Sequence, residues 1–115
     1  MKDESLVEFF PVQDNFLTPT AMFADLLLPV CTQFETWGVE DGWKYGEEVI
    51  LQPRISDPPW ETKSDYQICA DIAEKLGVGE AYTEGNSERD WIAKFIEVFR
   101  EARFPHMPDL DAFEK

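Results

Sequence analysis

Two short apolar runs govern what this chain can fold into. Residues 6–12 include Leu6, Val7, Phe9, Phe10 and Val12, and residues 26–30 include Leu26, Leu27, Leu28 and Val30. Each run is too short for a buried helix and carries the aliphatic and aromatic side chains of a strand. Pro11 suits an edge or a strand end, because it cannot donate to a ladder, and Pro29 closes the second run. Between the two runs, Thr18 followed by Pro19 predicts a short helix. The threonine oxygen can accept from free N–H groups, and a proline at the first helical position forfeits no hydrogen bond. A strand, a short crossover helix and a second strand predict a parallel pair in an α/β sheet.

Residues 31–63 are punctuated by Gly38, Gly42, Gly46, Pro53, Pro58 and Pro59, which predicts loops, with a strand over residues 48–52 ending at Pro53. Trp37, Trp43 and Trp60 fall here and are expected to cover a core or a neighbouring domain. Ser64 with Gln67 has capping-box spacing and predicts a helix with an apolar stripe of Ile68, Ile72 and Leu76, flanked by Cys69 and Ala73, ending at Gly77. Ser87 with Asp90 predicts another over residues 87–102, burying Trp91, Ile92, Phe95, Ile96 and Phe99. Residues 104–113 are expected to be irregular.

The chain has 115 residues, enough for a single α/β domain spanning residues 1–115. Its 24 acidic and 10 basic side chains leave a formal charge of −14, which argues against a nucleic-acid backbone or an anionic membrane as partner. Hydrophobic residues make up 43%, too many for a disordered acidic tail. No apolar run approaches the roughly 20 residues of a membrane helix. The polar opening, Met1 through Ser5, lacks the pattern of a secretory signal.

Chemistry-bearing residues are sparse. Cys31 and Cys69 stand far apart with no Cys/His cluster around them, so a zinc or iron–sulfur site within the chain is not expected, and both read as ordinary buried thiols. The sole histidine, His106, lies in a proline-flanked tail and reads as a solvated side chain. Paired carboxylates at Glu40/Asp41, Glu47/Glu48 and Asp109/Asp111 are what an acidic chain yields by chance. Asp14 is more informative. It sits where the first strand gives way to a loop, and in open α/β sheets ligands lie outside the carboxyl ends of strands. A carboxylate there can accept from a paired donor edge such as guanine N1–H with N2–H2. The same position suits an Asx turn cap, and spacing alone favours that role. Asp65 opens a helix, where a carboxylate stabilises the dipole.

Asp14, Phe16, Thr18, Thr20 and Ala21, followed by Ala24, Asp25, Leu28 and Pro29, form a run that resembles a signature of the dimethyl sulfoxide reductase family of molybdopterin oxidoreductases. Gln33, Phe34 and Glu35 resemble the family's next step. Residues 63–68, leading to Ala73, Glu74, Lys75, Leu76 and Gly77, resemble its later helix. Tyr82, Thr83, Glu84 and Gly85, ahead of the Trp91 helix, are similar to catalytic subunits of the anaerobic dimethyl sulfoxide reductase type. The resemblance covers about residues 6–113.

The resemblance implies part of a Rossmann-like, doubly wound domain: a short parallel sheet with flanking helices. It implies a role in holding one guanine dinucleotide arm of a bis(molybdopterin guanine dinucleotide) molybdenum cofactor, with Gln13 and Asp14 as a contacting pair at the strand end and Asp65 approaching the nucleotide from the later helix. Glu35 and Thr36 fall near a further contact region, while Thr18 and Asp25 read as residues that fix loop and helix. The implied parent reaction is oxygen-atom transfer from an S-oxide, N-oxide or related acceptor. The implied partners are the remaining domains of the catalytic subunit, an iron–sulfur electron-transfer subunit and a membrane anchor subunit, in a complex that often faces the bacterial periplasm. The molybdenum ligand and any cluster cysteines lie outside the matched region. The chain thus reads as a piece of a larger subunit, expected to hold no cofactor and reduce no substrate alone. It is expected to form a homodimer through an uncovered face or to pack its own helices over that face. The alternative reading is an acidic, non-catalytic α/β interaction module with a basic partner.

Overall fold

The computed structural model describes residues 5–42 and 48–113. Trp43 and Glu47 lie outside the described residues. The element order is β1 (Pro11–Asp14), a 3-10 turn (Ala21–Phe23), β2 (Leu26–Pro29), β3 (Gly38–Asp41), β4 (Val49–Gln52), α1 (Asp65–Lys75), α2 (Gly79–Thr83), α3 (Glu88–Ala102) and α4 (Leu110–Phe113).

β1 and β2 pair in parallel, with Pro11 opposite Leu26 and Asp14 opposite Pro29. The expected parallel pair is therefore present, but β1 begins where the predicted strand was ending. The paired strands are four residues each, and Asp25 anchors the start of β2. The Asp25 carboxylate accepts the Phe10 N–H at 2.7 Å, and the Asp25 N–H returns to the Phe10 carbonyl at 3.0 Å. The crossover is a single 3-10 turn rather than an α-helix. The cap position is Thr20 rather than Thr18, and Thr20 makes no side-chain cap bond, although the Thr18 hydroxyl accepts the Ala21 N–H at 3.2 Å. Beyond β2, Val30 forms a parallel bridge with Lys63, a one-residue third strand that feeds directly into α1.

Both capping boxes are formed: Ser64 with Gln67 opens α1, and Ser87 with Asp90 opens α3. α1 ends in a Schellman motif. Val78 N–H bonds to Ala73 O at 2.9 Å and Gly77 N–H to Glu74 O at 3.0 Å, with Gly77 at φ 75°, a left-handed conformation glycine adopts without a Cβ clash. Tyr66 ties α1 to α3, donating to Asn86 O at 2.6 Å and accepting from Trp91 Nε1 at 3.2 Å.

Two features differ from expectation. β3 pairs antiparallel with β4, making a hairpin where only β4 was anticipated. The tail is not irregular throughout, since α4 buries Leu110. The core lies away from the parallel pair: Ile92, Ile96 and Leu110 form it, with Trp37, Val39, Leu51, Ala93 and Met107 packed around them. α3 thus packs on the hairpin and the tail. Trp37 covers this core as expected, whereas Trp60 stands 96% exposed. The architecture is mixed α/β.

Candidate functional site at the carboxyl edge of the parallel strands

Parallel pairing brings three chain ends to one edge. β1 ends at Asp14, whose carbonyl accepts the Val30 N–H at 3.3 Å. Lys63 lies on the other side of β2, with its N–H on Pro29 O at 3.3 Å and its carbonyl on Cys31 N–H at 3.0 Å. Ser64 then caps α1, so the helix N-terminus opens at the same edge. Two strand spacings separate β1 from the Lys63 strand, roughly 10 Å. Asp14 and Asp65 therefore share an edge across that gap.

Asp14 is half-buried, and each of its oxygens has a local partner. Oδ1 accepts the Phe16 N–H at 3.1 Å, an Asx turn, and Oδ2 accepts the Thr18 hydroxyl at 3.0 Å. The capping role favoured by spacing is thus present. Gln13 is exposed and belongs to the opposite face, because successive strand residues alternate and β1 alternates exposed and half-buried. Gln13 and Asp14 are neighbours in the chain without sharing a face. Asp65 is exposed in the first turn of α1. Glu35 is used locally, its carboxylate accepting the Thr32 N–H at 2.7 Å, and Thr36 donates to Thr32 O at 3.5 Å.

Side chains from distant segments complete the electrostatics. Burial pushes the Glu88 carboxyl up, against the lowering effect of the Ser64 hydroxyl and Arg54, with Asp65 adding to the rise. Burial also pushes up the Cys31 thiol; the Thr62 hydroxyl opposes that, Glu35 and Glu88 add to it, and Arg54 opposes it. Cys31 therefore stays a neutral thiol at neutral pH, which suits packing rather than nucleophilic or metal chemistry. Sequence reasoning missed Arg54 and Glu88 because no local spacing marks them; only the fold brings residue 88 beside residue 64. It also missed the Thr18–Asp14 bond, although a hydroxyl four residues after a strand-end carboxylate was a readable signal.

An apolar concavity lies elsewhere. A groove of about 520 Å³ runs between β2 and α1, lined by Leu27, Leu28, Pro29, Ile68 and Ile72, with Lys63 and Asp71 paired at its rim. Asp14 and Asp65 do not line it. The edge itself can accept hydrogen bonds at its carboxylates and present a helix N-terminus, but it offers no acid–base pair.

Comparison with known proteins adds an independent line. Residues 1–75 match the family model described as molybdopterin oxidoreductase. The chain is 40% identical over 111 residues to the dimethyl sulfoxide/trimethylamine N-oxide reductase of Cereibacter sphaeroides, covering 93% of this chain and 14% of that protein. It is 31% identical over 117 residues to the dimethyl sulfoxide reductase of Haemophilus influenzae, covering 100% of this chain and 14% of that protein. It is 35% identical over 100 residues to a trimethylamine-N-oxide reductase of Vibrio vulnificus, covering 84% of this chain and 12% of that protein. The chain spans about a seventh of the length of such relatives.

Proposed function

The chain belongs to the molybdopterin oxidoreductase family, and on that premise we propose that it helps bind a guanine dinucleotide arm of a molybdenum cofactor. One observation carries the reading: Asp14 and the N-terminus of α1, which carries Asp65, meet at the carboxyl edge of the parallel strands. Ligands of open α/β sheets bind at that edge. The acceptor set fits a guanine. Each carboxylate oxygen has about two acceptor positions, so with one bond already on each, Asp14 retains one per oxygen. Two free acceptors side by side complement N1–H and N2–H2. Asp65 stands where ribose hydroxyls or the second guanine donor could reach it. Gln13 reaches a ligand only around the strand end, so it is the weakest member of the set.

The chemistry such a cofactor supplies when bound is two-electron oxygen-atom transfer from an S-oxide or N-oxide; the protein contributes binding and orientation. In this reading the chain's partners are the other domains of the catalytic subunit, together with iron–sulfur and membrane anchor subunits. That the relatives are dimethyl sulfoxide and trimethylamine N-oxide reductases supports the substrate class.

Titration of the 115-residue chain with GMP and with AMP, followed by amide NMR, tests the binding reading. GMP is expected to shift residues 13–16 and 64–66, and AMP, which lacks the N1–H and N2–H2 donors, is expected to shift them less. Equal responses to both nucleotides, or GMP shifts confined to the β2/α1 groove, would remove the assignment of Asp14.

A further inference from the structure

We propose that Thr18 is a positioning residue that sets the plane of the Asp14 carboxylate; the ligand named for it rests on the guanine reading above. An aspartate's terminal torsion is broad and roughly two-fold, so a lone bond from Phe16 N–H to Oδ1 would leave the carboxylate free to swivel. The Thr18 hydroxyl on Oδ2 supplies the second point that fixes the plane. That hydroxyl has only one proton. Its oxygen already accepts the Ala21 N–H, so the proton is directed at Asp14.

Thr18 is itself held. Pro19 restricts its backbone to the extended region, and branching at Cβ restricts its χ1. The Thr18 carbonyl accepts the Met22 N–H at 3.1 Å, anchoring the residue to the 3-10 turn. The turn therefore orients Thr18, and Thr18 orients Asp14. What remains open on Asp14 is one acceptor position per oxygen, in a fixed plane. A ligand whose two donors are parallel and coplanar meets both, whereas a ligand with one donor meets half of the site.

The test compares GMP with IMP, which keeps N1–H and lacks the 2-amino group. It uses the 115-residue chain as wild type, Thr18→Val and Thr18→Ser, and also reads hydrogen exchange at the Phe16 amide. Phe16 N–H bonds to Asp14 and not to the Thr18 side chain, so its protection reports on the carboxylate. Wild type is expected to favour GMP over IMP by roughly tenfold, the value of one hydrogen bond to a charged acceptor. Thr18→Val is expected to bring that ratio close to one and to speed Phe16 exchange about fivefold, the effect of one weakened bond. Thr18→Ser, which retains the hydroxyl, is expected to keep most of both properties. A Thr18→Val chain that still discriminates as wild type does overturns the proposal. A wild-type ratio near one overturns the guanine reading instead. Phe16 exchange then decides the positioning role on its own: faster in Thr18→Val supports it, and unchanged overturns it.

Discussion

Ser64 opens α1 and bears on the start of α3. Its hydroxyl accepts the Gln67 N–H at 3.2 Å inside α1 and lowers the pKa of the Glu88 carboxyl at the start of α3. Glu88 nonetheless has a raised pKa, because burial outweighs that effect. The folded state thus holds the Glu88 proton more tightly than the unfolded chain does. Its contribution to stability is complete below the ordinary carboxylate range and is lost as pH rises through the raised value. Asp90, two residues on, behaves oppositely. Bonds from the Ser87 side chain and backbone hold its carboxyl below the usual range, so its contribution is present above the unfolded value and fades as pH falls through the folded one. Urea midpoints across pH separate the two. Glu88→Gln should match wild type in acid and become the more stable chain as pH approaches neutrality. Asp90→Asn should be the less stable chain near neutrality and converge with wild type in acid. A Glu88→Gln chain less stable than wild type at neutral pH would show that Glu88 is held charged by its partners.

The elements written most plainly in the sequence are those whose signals are local. α1 and α3 open at their Ser-x-x-Gln and Ser-x-x-Asp boxes because both partners of each bond lie three residues apart. Ser87→Ala should lower unfolding stability by about 1 kcal/mol. Ser64→Ala should lower it further, since Ser64 is buried and Ser87 is exposed, so the N–H groups its cap serves are left without a partner away from water; denaturant melts of the two variants side by side give the order. β3 was not legible, because Gly38, Glu40 and Asp41 carry little strand propensity, Val39 alone does not mark a strand, and the segment gains its conformation from register with β4. α4 was not legible either. Four residues are too few to be helical alone, and Leu110 is held by α3 while Asp109 caps the turn through the Ala112 N–H at 2.9 Å. In the candidate site, Asp14 and Asp65 were legible as element ends, whereas their common edge required the Val30–Lys63 bridge.

At the scale of the whole molecule, the chain exposes more than its size requires. Its accessible surface is 8754 Å², where a folded protein of this mass shows about 6,500 Å². Its radius of gyration is 17.6 Å, against about 13 to 14 Å for a compact domain of this length. Part of the excess is apolar. The stripe expected on α1 is buried only at Ile68 and Ala73; Ile72 is 46% exposed and Leu76 72% exposed. Leu26 and Leu27 of β2 are also exposed. The chain's own helices therefore leave this face open rather than closing it, which suits a segment packed against more protein. Ile72→Glu should leave unfolding stability within about 0.5 kcal/mol, as expected for an exposed site. Wild type is expected to bind an apolar dye and to self-associate in light scattering, and Ile72→Glu is expected to reduce both. Unchanged dye binding would place the sticky surface elsewhere.

The sequence by itself determined the family, the α/β class, the parallel pair and the two long helices. Each of these rests on residues within one turn, one strand or one motif of each other, where side-chain type and spacing already specify the geometry. Tertiary structure alone decided where the core lies, that β3 exists, that Glu88 comes near Ser64, and that the Lys63 strand sets Asp65 at the edge where Asp14 ends β1. Those outcomes depend on strand register and on contacts between distant segments, and a linear pattern carries neither until the chain has closed on itself.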